Sequence, residues 1–344
     1  MTAEIRKLEK AAEEIATIAR RLGLDYYPVH FEICPPETLY SFGAYGMPVR
    51  FNHWSFGKAF YRLKTQYDLN LSRIYELVIN ANPAYAFLLE GNSLVQNKLV
   101  IAHVFAHVDF FKNNRYFERT PKDMVERMAT HAERIRGYEI VHGREKVEKT
   151  LDAVLSIQEH VDPRAHIGKA VATNSASTPK RITHKYGDLL QLEEQAEHEA
   201  EDRAEERTKQ ERTAECEDLL YYVMEYAPEL EEWQRDIIGM VREEALYFYP
   251  QIETKITNEG WATFWHCKIM RELDLSASEA IDFAVNHSRI VQPTTFALNP
   301  YYLGFKIWEH LEKKYSLPEL FEFREIENDI SFIRNHLNQE LVEE

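Results

Sequence analysis

The chain has 344 residues, 44% of them hydrophobic and 12% aromatic, and a net charge of −16. That composition can bury a core in one large or two modest domains and excludes wholesale disorder. The acidic excess argues against a nucleic-acid binder, because phosphate contacts need clustered lysine and arginine, and no apolar run reaches the ~18 residues of a membrane helix.

Residues 2–22 place Ile5, Leu8, Ile15, Ile18 and Leu22 at near-helical spacing and predict an amphipathic first helix. This stretch is charged and lacks a continuous apolar segment. It reads as part of the folded protein and not as a signal peptide, so a cytoplasmic location is expected. Residues 26–34 alternate and run into Pro35-Pro36, the pattern of a short strand. Residues 41–57 mix glycine, proline and aromatics, which predicts a structured loop with His53 as a candidate functional residue. Residues 94–111 predict an apolar helix that Asn92 or Ser93 can cap. Two amphipathic helices are expected over 122–142 and 144–160.

Residues 164–192 have no period, and 193–218 are dominated by Glu, Arg and Lys, which predicts a polar surface insertion. Helical patterning resumes at Leu219 and runs through 273. A second loop rich in proline and aromatics follows at 291–304, and the last 40 or so residues read as amphipathic helix. The expected fold is mainly α, a multi-helix body with a small β element. Residues 1–163 and 217–312 would complete one core around the insertion 164–216, with 313–344 as a helical tail. The three cysteines, Cys34, Cys216 and Cys267, form no CxxC pair and no even-numbered framework. That fits a reducing compartment and argues against a cysteine-rich zinc site.

The chemistry concentrates in two distant segments. The first is the helix 94–111, apolar on most sides yet carrying Gln96, His103, His107 and, if the helix continues, Asn114 on one stripe. Their spacings of seven, four and seven return to one angle at about 100° per residue. A polar stripe in an apolar helix must find partners, since an unpaired buried polar group costs ~1–3 kcal/mol. Histidines at i and i+4 have Cβ atoms about 5–6 Å apart, and both imidazoles can converge on one ion at ~2.0–2.1 Å. Asp109 points elsewhere and belongs outside the ligand set. The second segment is Asn258-Glu259-Gly260-Trp261-Ala262-Thr263-Phe264-Trp265-His266. Glu259 is the expected third ligand, and His266, seven residues on, is a fourth ligand or a partner behind the ligands. Gly260 and Ala262 permit close helix approach. Gln96, Asp109, Asn114, His53, Glu133 and Trp261 are the expected surrounding or pocket residues. Zinc is the expected ion; the alternative is a metal-free His–Glu network. The general base of an HExxH protease is missing, because Val104 follows His103. Glu32, Glu37 and Glu133 are other carboxylates in the same half, and the sequence selects none of them.

The segments FGAYGMPVRFNHWSFGK, YELVINANPAYAFLLEGNSLVQNKLVIAHVFAHVDFFKNN, ERIRGYE, WQRDIIGMVREEALYFYPQIETKITNEGWATFWH and QPTTFALNPYYLG resemble the SpoVR family, stage V sporulation protein R. The resemblance spans about residues 4 to 340, apart from 164–216. It implies a link to spore cortex formation in spore formers. It also implies a role outside sporulation, in organisms whose genes for it sit beside a PrkA-type serine kinase and a von Willebrand A-like protein, the expected partners. Members usually continue into a further C-terminal region, whereas this sequence stops at Glu344. EGWA after a histidine-pair helix resembles the third-ligand helix of gluzincin-like peptidases, so a zincin-like two-helix site is expected by analogy. Two readings result. One is a metal-dependent hydrolase in sporulation- or stress-linked physiology. The other is a non-catalytic regulatory or scaffold module working with the kinase and the von Willebrand A-like protein.

Overall fold

A computed structural model describes residues 2–69, 76–163, 218–293 and 297–343. The fold is mainly α-helical with a small three-stranded sheet, and none of the described helices is long and apolar enough to cross a membrane. The chain divides into two compact units, one of Val147–Leu246 and one of Met1–Lys146 with Tyr247–Glu344. This division differs from the sequence-based one in two places. Residues 147–163 and 218–246 belong to the first of these units, and the tail 313–344 belongs to the second. The predicted insertion 164–216 lies outside the described residues.

In chain order the elements are α1 (Thr2–Arg21), β1 (Val29–Cys34), α2 (Pro36–Tyr45), α3 (Trp54–Asp68), β2 (Glu76–Ile79), β3 (Ala84–Leu89) and α4 (Leu94–Asn113). After a short 3-10 turn come α5 (Met124–His142), α6 (Arg144–Leu155), α7 (Leu219–Tyr226), α8 (Glu232–Glu253) and α9 (Lys255–Glu272). The chain continues with α10 (Ala277–Ile290), α11 (Pro300–Lys314), α12 (Leu317–Ile326), α13 (Asp329–His336) and α14 (Gln339–Glu343). The expected loop 41–57 is therefore shorter than its composition suggests. α2 runs to Tyr45, Gly46 closes it in the left-handed conformation, and His53 already caps α3. The final helical stretch is three short helices, each started by its own capping residue or turn.

The smaller unit is organised by Asp218, which is fully buried. It caps α7 by accepting from Tyr221 N at 2.8 Å and pairs with Arg242 at 2.8 Å.

In the larger unit α4 is the central rod. Ser93 starts it with a capping box: Gln96 N donates to Ser93 Oγ at 3.2 Å, and Ser93 N donates to Gln96 Oε1 at 2.9 Å. Every residue from Leu99 to Phe111 is buried, because α1, β3, α9 and α10 pack around the rod. All-round burial explains why the helix is apolar on nearly every face. The sheet runs β1-β3-β2, with β1 parallel and β2 antiparallel to β3. In the register Glu76 of β2 stands opposite Leu88.

α9 lies against α4 on one side and α11 on the other. Two glycines make the second crossing possible: a Cβ on Gly260 would fall on the Gly304 backbone, and one on Gly304 would fall on the Ile256 carbonyl. We expect Gly260→Val to destabilise the protein by roughly 3 kcal/mol or more, because backbone cannot give way as a flexible side chain can. Chemical denaturation measures it, and a loss below about 1 kcal/mol would show that the helices separate freely. The tail also fixes α9: Asp329 of α13 accepts from the Ile256 and Thr257 amides, each at 2.8 Å. Those first-turn amides have no partner within the helix.

Candidate metal centre

α4 presents His103 and His107 one turn apart, with ring centroids 4.5 Å apart and planes at 88°. Across from them, the second turn of α9 presents Glu259. Its Oε2 lies 3.4 Å from His103 Nε2 and 3.3 Å from His107 Nε2, and all three residues are buried. Although both rings are this close, Glu259 Oε2 accepts a hydrogen bond from neither and is a buried oxygen without a donor. Donors that share a tetrahedral ion at ~2.0–2.1 Å stand about 3.3 Å from one another. Glu259 Oε2 already stands at that separation from each imidazole nitrogen, and all three donor atoms lie within 4.8 Å of one another, so the donor set fits a small divalent cation.

Each group is held from behind. Lys255, one turn earlier on α9, donates to Glu259 Oε1 at 2.5 Å. His107 Nδ1 lies 2.9 Å from Asn258 Oδ1, an acceptor that places a proton on Nδ1 and directs Nε2 at Glu259. His103 Nδ1 lies 3.0 Å from His266 Nδ1. His266 therefore meets the far nitrogen of His103, and its own Nε2 lies 3.1 Å from His287 Nδ1 on α10.

Burial works against every charge here. For Glu259, burial raises the carboxyl pKa, but the facing imidazoles of His107 and His103 and the Lys255 ammonium outweigh it and hold the group well below the usual range. Burial and repulsion from His107 push His103 down to about 4. Burial lowers His107 as well, yet Glu259, Asn258 and Glu76 more than compensate and raise it. A ligand imidazole must be unprotonated to bind a cation, and the His107 pKa is raised, so zinc affinity should rise with pH until His107 is neutral. Competition titrations against a chelating dye across the neutral range check this; a flat affinity would contradict a raised His107 pKa.

Beside His103 opens a cavity of about 190 Å³, lined by Glu76, Gln96, Asn286 and Tyr301 with Leu99, Val100 and Ile290. Burial, then the nearby charge of Glu259, pushes Glu76 up to about 7 against the pull of His107 and Lys255. Tyr301 stacks on His103 with centroids 6.0 Å apart. Burial, together with the charges of Glu259 and Glu76, raises its phenol well above its ordinary range.

The structure brings together His103, His107 and Glu259, with His266 behind them. Gln96 reaches the cavity wall, where it donates to Asn286 Oδ1 at 3.2 Å. The other expected surrounding residues lie elsewhere. Asp109 points to the opposite side of α4, accepting from Trp261 Nε1 at 2.9 Å and from Asp25 N at 2.8 Å. Trp261 is thereby committed to the core, packed on Trp308 and Trp265. Asn114 falls past the end of α4 and donates to the carbonyls of Arg324 and Glu327. His53 caps α3, its Nδ1 accepting from Ser55 N. Glu32, Glu37 and Glu133 are exposed. Sequence reasoning missed Glu76, Tyr301, Asn286 and His287, which come from a strand edge, a helix start and α10. Tyr301 carried a faint signal, sitting beside Pro300 in a stretch unusually rich in aromatics.

The family model described as SpoVR like protein matches residues 2–344. The uncharacterized protein YcgB of Escherichia coli is 30% identical over 324 residues, which cover 87% of this chain and 62% of that protein. The chain thus spans less than two thirds of the length of this relative. No solved structure matches the chain.

Proposed function

The chain belongs to the SpoVR family, and we propose that its larger unit is a divalent-metal centre built for hydrolysis, with His103 Nε2, His107 Nε2 and Glu259 Oε2 as the protein ligands. The observation that carries the reading is the buried Glu259 Oε2, which has no hydrogen-bond donor although two imidazole nitrogens lie 3.3–3.4 Å away. Two imidazoles and one carboxylate with an open side are the donor set of catalytic zinc. A bound zinc ion supplies Lewis acidity to a polarised oxygen and lowers the pKa of water.

The surrounding residues have separate tasks. Glu76, with a carboxyl pushed to about 7, accepts a proton near neutrality and takes the role that Val104 cannot fill. Tyr301, which stays protonated, donates its phenol hydrogen to charge developing on a substrate oxygen. The Gln96 and Asn286 amides hydrogen-bond a polar group, while Leu99, Val100 and Ile290 accept an apolar one. A small ester or amide group fits this mixed lining. The physiological setting we propose is the sporulation- or stress-linked one that the family implies, alongside a PrkA-type kinase and a von Willebrand A-like protein.

The test is metal content. Wild-type chain stripped with a chelator and incubated with zinc should retain at least one equivalent after desalting, and His107→Ala should retain less. Wild type that takes up no zinc, manganese or iron would overturn the reading.

A further inference from the structure

We propose that His266, Cys267 and His287 form a second metal site, for a soft or borderline cation such as zinc, separate from the His103–His107–Glu259 centre. The inference does not depend on the first centre holding a metal.

The donor atoms are already gathered. His266 and Cys267 are consecutive on α9, and His287 reaches them from α10. His266 Nε2 lies 3.1 Å from His287 Nδ1, Cys267 Sγ lies 3.3 Å from the same nitrogen, and all three donors fall within 4.8 Å of one another. A tetrahedral zinc ion with Zn–S of ~2.3 Å and Zn–N of ~2.0–2.1 Å sets its donors about 3.3–3.6 Å apart. His287 Nδ1 is close to both partners, yet it has one proton or one lone pair, so it can satisfy only one of them by a hydrogen bond. A cation between the three atoms satisfies all of them.

The chemistry selects the ion. One thiolate and two imidazoles, with no carboxylate among them, favour zinc or copper(I) over magnesium, calcium or manganese. His266 and Cys267 are buried and His287 is half-buried, so α10 supplies the least enclosed of the three donors. The charged neighbours are opposed: Arg271 acts on Cys267 and His287, and Glu309 acts on Cys267. Binding exchanges the thiol proton for the cation, which leaves a metal-bound thiolate and one proton in solution.

His266 also links the two sites. Its Nδ1 faces His103 Nδ1 at 3.0 Å, a separation with room for one proton. When both rings hold cations through Nε2, each neutral imidazole carries its remaining proton on Nδ1, and the two protons meet head-on. The sites therefore oppose each other's loading.

Cobalt(II) separates the two sites, because only the second contains sulfur. Titrating the chelator-stripped chain with cobalt should produce a thiolate-to-cobalt absorption band in the near ultraviolet, approaching one equivalent. The band should vanish in Cys267→Ser and in His287→Ala and persist in Glu259→Gln, in which the first centre has lost its carboxylate ligand. Wild type that binds cobalt without that band overturns the second site and leaves the first intact. A band that survives Cys267→Ser comes from Cys34 or Cys216 and overturns it equally. A band lost in Glu259→Gln shows one shared site and overturns the separation proposed here.

Discussion

Glu259→Gln should lower zinc affinity by at least about 100-fold while leaving the helices in place. The loss of a residue that merely supports a ligand costs about 10–100-fold, and Glu259 contributes a ligand atom and the centre's negative charge. Glutamine keeps the length of the side chain, so the packing of α9 on α4 and on Gly304 is undisturbed. The comparison is best made through stability, because a ligand that binds only the folded state adds roughly 4 kcal/mol when present at 1,000 times its dissociation constant. Wild type should melt at a distinctly higher temperature with excess zinc, and the variant should gain far less. The residual gain measures any second site. An equal zinc response in both proteins would remove Glu259 from the centre.

The second large effect concerns turnover. The zinc-loaded wild type should accelerate hydrolysis of p-nitrophenyl acetate, a small activated ester, and Glu76→Gln should reduce that acceleration by roughly 10²–10⁴-fold with zinc content unchanged. The argument rests on position and charge together. Glu76 opens β2 at the cavity wall that includes His103, and in the metal-free chain burial and the charge of Glu259 push its carboxyl to about 7, which makes it a stronger base than an ordinary carboxylate. The rate of wild type should climb with pH as Glu76 loses its proton, at a midpoint below the metal-free value of about 7 because the ion adds positive charge nearby, and that limb should be missing from the variant. A variant that keeps full activity would assign the base to another group.

Some of this was readable from the residues and some was not, for physical reasons. α4 and α9 were legible because their polar residues recur at helical spacing, and the pairing of His103, His107 and Glu259 followed from ligand chemistry. The approach of α9 to a neighbour was legible in Gly260, although its counterpart Gly304 was hidden in what read as a loop. β3 was missed because it is nearly all buried. A strand covered on both faces loses the alternation that marks a half-exposed one. With β3 and its partner β2 unseen, Glu76 had no route to the site. His266 shows the limit of a helical wheel. It shares a face with Glu259, as expected, but the two meet opposite nitrogens of His103, and ring depth is not encoded in spacing. Asn114 shares the stripe only if the helix continues, and α4 stops one residue earlier.

The separation of the two halves of the centre has a consequence during synthesis. His107 and Asn258 are 151 residues apart. On a ribosome adding about 5–20 residues per second, the histidine pair therefore waits roughly 8–30 s for Glu259 to be made. Throughout that interval the nascent chain offers two bare imidazoles without the carboxylate that completes the set. Under the proposed ligand assignment the three-donor set is complete only once α9 has emerged, so every chain would pass through a stage that offers a cation the two imidazoles alone.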